Sequence, residues 1–134
     1  MITIKTTINA PLEKVWDVWT KPEFITQWAF ASDDWECPAA ENDLRVDGTF
    51  KTVMSAKDKS FSFDFGGVYT AVQEHALIEY TMGDGRRVSV TFKETPEGIL
   101  VTESFDPETE NSEEMQRAGW QAIMDNFKKI AEQA

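Results

Sequence analysis

The chain has 134 residues and a mass of 15.2 kDa. That is enough for one domain over 1–134 that buries roughly 68% of its unfolded surface, and too little for a second. With 24 Asp and Glu against 13 Lys and Arg, the formal net charge is −11, which repels phosphate and argues against nucleic acid and anionic membranes as partners.

Ile2, Ile4 and Ile8 share one parity, which predicts a strand with one buried face. Pro11 suits the first position of a helix, where its missing N–H costs nothing. Leu12, Val15, Trp16 and Trp19 follow at helical spacing. A second short helix is expected near Pro22, with Thr20 and Glu23 at capping-box spacing and Ile25 and Trp28 on its apolar side. Phe30 to Asn42 has no clear period and reads as a loop carrying Trp35.

From Asp43 to about Phe105 the pattern is β. Leu44 and Val46 alternate with Asp43, Arg45 and Asp47 ahead of the hairpin signal Asp47-Gly48, and Phe50, Thr52 and Met54 continue after it. Lys57-Asp58-Lys59 reads as a turn. Phe61, Phe63 and Phe65 alternate with Ser62 and Asp64, and a bulge or bend is expected at Gly66-Gly67 before Tyr69. Ile78, Tyr80 and Met82 form the next strand. Gly83-Asp84-Gly85 turns the chain into Val88, Val90 and Phe92, and Pro96-Glu97-Gly98 turns it into Ile99, Val101 and Phe105. Strands joined by turns this short must be antiparallel. The last segment predicts one long helix, with Asn111 as cap and Glu114 as its reciprocal partner. Its apolar stripe runs through Met115, Gly119, Ile123, Met124, Phe127, Ile130 and Ala131, bordered by Trp120.

The expected class is therefore α+β: one strand, two short helices, an antiparallel sheet of six to seven strands in all, and a long C-terminal helix packed across it. In this order the residues resemble the START-like (helix-grip, Bet v 1-like) superfamily, and within it the group related to the C-terminal domain of the activator of Hsp90 ATPase. The resemblance is carried by Ala10-Pro11 with Val15-Trp16, by Thr20-Lys21-Pro22-Glu23 leading to Trp28, and by Asp43-Leu44-Arg45 with Gly48 and Phe50. Gly67 with Tyr69, Ile78-Glu79-Tyr80-Thr81, and Gly119-Trp120 complete it. Trp28 is followed by Ala29 where the family often has a second Trp, and Asp47-Gly48 stands where Gly-Gly is common. The resemblance implies a curved sheet gripping the C-terminal helix, with a cavity between them. It further implies binding of apolar small molecules, cyclase-type catalysis or binding to Hsp90.

The residues offer little conventional catalytic chemistry. His75 is the single imidazole and falls at a turn beside Glu74. No HExxH, paired CxxC or GxSxG spacing occurs, so no metal, cofactor or nucleophilic triad is expected. Cys37 cannot close an internal disulfide, and Asp34 and Glu36 beside it disfavour a thiolate. Met1 to Ala10 lacks the pattern of an export signal, and no apolar run approaches spanning length, so the expected location is cytoplasmic. Gly83-Asp84-Gly85 precedes a strand rather than a helix and reads as a hairpin turn, not a phosphate loop.

The aromatic content carries the positive argument. Nine Phe, five Trp and two Tyr are many rings for a two-layer core. Rigid rings on a bent sheet tile poorly, and Gly119 facing them leaves space. The expected cavity lining is Trp28, Phe30, Trp35, Phe50, Phe63 and Phe65, with Tyr80 and Phe92 from the later strands and Met115, Gly119, Trp120 and Ile123 from the helix. Arg45 and Asp64 are candidate polar anchors. Alternation places Asp64 on the outer face unless a bend turns it inward, and Arg45 is either a surface ion pair or a ligand-carboxylate anchor. The run from Glu103 to Glu114 holds six acids and no base, and reads as a solvated loop or a docking patch for a basic partner. Three functions follow: a binding module for an apolar or aromatic small molecule, a partner of an Hsp90-type chaperone, or a cyclase or dehydratase using Asp64, Tyr69 or Tyr80 for proton transfer.

Overall fold

The parity of the opening isoleucines sets the first strand. In the computed structural model, which describes residues 1–133, β1 (Ile2–Ile8) buries Ile2, Ile4 and Ile8. Two short helices follow, α1 (Leu12–Thr20) and α2 (Pro22–Trp28). Six strands then run as a meander: β2 (Trp35–Asn42), β3 (Thr49–Ala56), β4 (Ser62–Gln73), β5 (Leu77–Met82), β6 (Arg87–Thr95) and β7 (Gly98–Phe105). The chain ends in α3 (Glu113–Gln133). The single sheet has the order β1-β7-β6-β5-β4-β3-β2, every pair antiparallel, and curls into a half-barrel. The helix pair α1–α2 carries the chain from one sheet edge to the other. α3 lies alongside β1 and against α1 and α2.

The inner face is built by period-2 burial: Ile78, Tyr80 and Met82 on β5, Val88, Val90 and Phe92 on β6, and Ile99, Val101 and Phe105 on β7. Val15, Val18, Met124, Phe127 and Ala131 cover part of it from the helices. Removing Phe127, fully buried, leaves a large void and costs about 3–5 kcal/mol.

Four local expectations need correction. Residues 35–42, expected as loop, are the edge strand β2; a register shift between Glu36 and Ala39, around Pro38, erases the alternation that would have marked it. Residues 43–48, expected as strand, are instead the β2–β3 connection. There the Arg45 N–H donates to the Asp43 carbonyl and the Gly48 N–H to the Arg45 carbonyl. Gly66 and Gly67 keep regular register with β3, and the irregularity falls at Thr70, between Tyr69 and Ala71. The two glycines are needed for close approach: a Cβ on Gly67 would sit 2.5 Å from the Thr81 carbonyl oxygen, and one on Gly66 would strike that of Phe50. Finally, the caps differ. The Thr20 hydroxyl donates back to the Trp16 carbonyl instead of capping α2, and Ser112, not Asn111, caps α3 through its Oγ to the Met115 N–H at 3.1 Å.

Candidate functional site

The N-terminal half of α3 stands off from the centre of the curved sheet. Between them lies a cavity of about 450 Å³. Phe50, Thr52 and Met54 of β3 and Phe63, Phe65 and Tyr69 of β4 form one wall. Ile78 and Tyr80 of β5 and Glu103 of β7 form its floor. The opposite wall is Met115, Gly119, Trp120 and Ile123 of α3, closed at one end by Trp19, Ile25 and Trp28. A Cβ on Gly119 would meet nothing within 4 Å, so this position opens onto space.

The rings divide into three groups, and the division explains their number. Trp16, Trp19, Trp28, Phe92 and Phe127 pack with centroids 4.8–6.0 Å apart, edge to face except for the tilted Trp19–Trp28 pair, and fill the layer between α1, α2, α3 and β6. Phe50, Phe65, Tyr69 and Tyr80 form a second group on the sheet wall, with Phe50 and Tyr80 at 4.7 Å. Trp120 meets Phe65 edge to face at 5.9 Å and lies flat against Phe105 at 3.8 Å and 10°. Trp35, Phe61 and Phe63 form a third, superficial group.

Part of the polar lining of the cavity is tied up in hydrogen bonds. The Tyr69 hydroxyl donates to Asn42 Oδ1, and Asn42 Nδ2 donates to the Thr20 carbonyl at 2.6 Å, tying the sheet to the α1–α2 junction. Burial pushes the Tyr69 phenol above its ordinary value despite that bond. Gln116, 7% exposed, fixes the strap over the cavity mouth. Its Oε1 accepts from the Glu108 N–H, and its Nε2 donates to the carbonyls of Glu108 and Asn111.

Glu103 was not anticipated as a site residue. It is 6% exposed, and burial alone pushes its carboxyl up to about 8. Tyr80, across β6 on the same face, is raised well above the ordinary phenol value by burial first and then by the Glu103 charge. Neither group is shifted by a hydrogen bond. Among the described residues no fully enclosed side-chain nitrogen or oxygen lacks a partner, so these two unbonded groups open into the cavity. The signal was legible: Glu103 shares the parity of Ile99, Val101 and Phe105, which puts it on the apolar face rather than in a solvated acidic run. The run itself divides, since Asp106 pairs with Arg87 and Glu108 reaches the cavity.

Of the expected lining residues, Trp28, Phe50, Phe63, Phe65, Tyr80, Met115, Gly119, Trp120 and Ile123 stand at the cavity. Phe30, Trp35 and Phe92 do not. Phe30 is packed against the core at the end of α2, where its carbonyl accepts from Asn126 Nδ2; Trp35 sits on the β2 edge; Phe92 is enclosed by Trp16 and Trp19. The candidate anchors are elsewhere too. Arg45 pairs with Asp43 at 3.0 Å on the exposed β2–β3 connection. Asp64, opposite Val53, keeps the exposed outer face because register through Gly66-Gly67 is unbroken, so its carboxyl does not line the cavity. His75 lies on the β4–β5 turn against the edge of Trp16. Cys37 is buried in β2, and burial, rather than neighbouring acids, raises its thiol.

Residues 9–132 match the family described as activator of Hsp90 ATPase homolog 1-like protein. The AHSA1-like protein from Aeromonas hydrophila superposes with a TM-score of 0.93 at 42% identity, over 98% of this chain and 92% of that one. A protein from Cytophaga hutchinsonii gives 0.85 at 52% identity, over 98% and 92%. One from Nitrosomonas europaea keeps the fold at 0.85 with 21% identity, over 98% and 94%. Among curated proteins no relative matches.

Proposed function

We propose that this chain, which belongs to the family of activator of Hsp90 ATPase homolog 1-like proteins, is a binding module whose sheet–helix cavity takes up a small, largely apolar molecule. The observation that carries this reading is a hollow of about 450 Å³ walled by Phe50, Phe65, Tyr80 and Trp120, with a polar minority that includes Asn42, Tyr69 and Glu103. That volume and character are those of a small-molecule site. The absence of a base with an orienting partner argues against the cyclase reading, although Tyr69 and Tyr80 do face the cavity.

A thermal-shift screen of fatty acids, flavonoids and polyketides tests the reading. A ligand at 100 times its Kd stabilises by about 2.7 kcal/mol, or about 8–10 °C in Tm for a chain of this size. Flat melting curves across the screen at millimolar ligand would overturn it.

The family match supports a second reading, a partner of an Hsp90-type ATPase. Its test is a pull-down with the chaperone and a measurement of chaperone ATPase rate, and unchanged turnover with no capture would remove it.

A further inference from the structure

The cavity reading leaves open what kind of head group the ligand carries, and the polar floor bears on that. Glu103 and Tyr80 are each more than nine-tenths buried, line the hollow and have no side-chain hydrogen-bond partner among the described residues. A buried carboxyl in this state keeps its unmet hydrogen-bonding capacity for a guest.

The remaining titratable groups on the lining set the sign of the field. Glu41 comes from β2, Tyr69 from β4, Arg86 from the β5–β6 turn and Glu108 from the strap before α3. The residues lining it from α1, α2 and α3 are uncharged. The one guanidinium, on Arg86, is engaged by Asp84, with Nε to Oδ2 at 2.8 Å. Glu41 and Glu108 against one paired cation, with Glu103 able to add a third negative charge on ionising, disfavour an anionic guest. The net charge of −11 draws cations toward the mouth, and the faces of Phe50, Phe65 and Trp120 suit an ammonium or an aromatic body.

We infer that the cavity is selective for organic amines: a primary or secondary ammonium bound to the Glu103 carboxylate and the Tyr80 hydroxyl, carried on an apolar, ring-containing body that lies against Phe50, Phe65 and Trp120. This rests on the cavity reading above. On binding, the carboxyl gives its proton to solvent and the ammonium takes its place, so charge inside the cavity stays balanced and the bond is charge-assisted. With Glu103 held neutral up to about pH 8, amine affinity climbs from pH 5 toward pH 8 by up to about tenfold per pH unit and then levels off.

Isothermal titration calorimetry with three matched probes tests this: 2-(1-naphthyl)ethylamine, the corresponding alcohol 2-(1-naphthyl)ethanol, and 1-naphthylacetate. At pH 7 the amine is expected to bind at least about tenfold more tightly than the alcohol, with the carboxylate weakest. Titrations at pH 6.5 in buffers of different ionisation enthalpy should show close to one proton released per amine bound. In Glu103→Gln the amine-to-alcohol ratio should collapse to within about threefold. Tyr80→Phe, which keeps the ring, serves as the second variant and should lower the ratio by a smaller factor.

An alcohol that binds as tightly as the amine, or a preference that survives in Glu103→Gln, would overturn the inference while leaving the cavity reading intact. So would failure of all three probes while a fatty acid or flavonoid binds. If nothing binds at all, both fall.

Discussion

Glu103 is the buried carboxyl on the cavity lining, and its burial has a consequence for stability. In the folded chain its carboxyl stays protonated up to about 8, against an ordinary value of 4.5. Such a group contributes its full stability below about pH 4.5 and loses it as pH rises toward 8. The loss approaches about 1.4 kcal/mol per pH unit across that window. Glu103→Gln, which cannot ionise, should therefore flatten the profile between pH 5 and 8 and exceed the native chain at pH 8 by on the order of 2–4 kcal/mol. Urea denaturation at pH 4.5, 6, 7 and 8 measures this, and parallel profiles for the two proteins would contradict it. The same period-2 rule that sends Asp64 outward with Val53 opposite sends Glu103 inward with Val101 and Phe105. Both placements were readable from parity alone. What parity could not supply was the absence of a partner for Glu103, because that depends on what α3 brings over the sheet.

At the scale of elements, α3 shows which signals in a chain are local and which are not. Its stripe and approximate length were legible because helical periodicity over 21 residues is redundant. Its cap was not, because Asn111 and Ser112 are both good capping residues one position apart, and the Asn111 N–H is drawn to the Glu108 carboxylate instead. Ser112→Ala should cost about 1 kcal/mol. Gly119→Ala should stabilise by about 0.5–1 kcal/mol, since the helix gains propensity and the new methyl enters open space. Thermal denaturation reads both, and a destabilised Gly119→Ala would mean that α3 sits closer to the sheet than described. β2 shows the opposite case: an edge strand interrupted at Pro38 carries no period to find, so only its pairing with β3 defines it.

For the whole molecule, the antiparallel meander from β3 to β7, the two short helices after β1 and the long closing helix were legible, because short turns force antiparallel neighbours and an apolar sheet face demands a cover; the pairing of β1 with β7 was not, because no short turn joins them. The distribution of the rings was not. Sequence cannot separate Phe92, locked between Trp16 and Trp19, from Tyr80 on the neighbouring strand at the hollow, since both satisfy the same alternation. The difference arises from where α3 touches down, beside β1 and the two short helices, and from where it stands away. The most direct measurement is fluorescence titration with the uncharged probe N-phenyl-1-naphthylamine, on the native chain and on Gly119→Trp, whose indole would occupy the hollow. We expect saturable one-to-one binding to the native chain and at least a tenfold loss in the variant at unchanged fold, read by circular dichroism. Equal binding to both proteins, or none to the native chain, would contradict a usable space between sheet and helix.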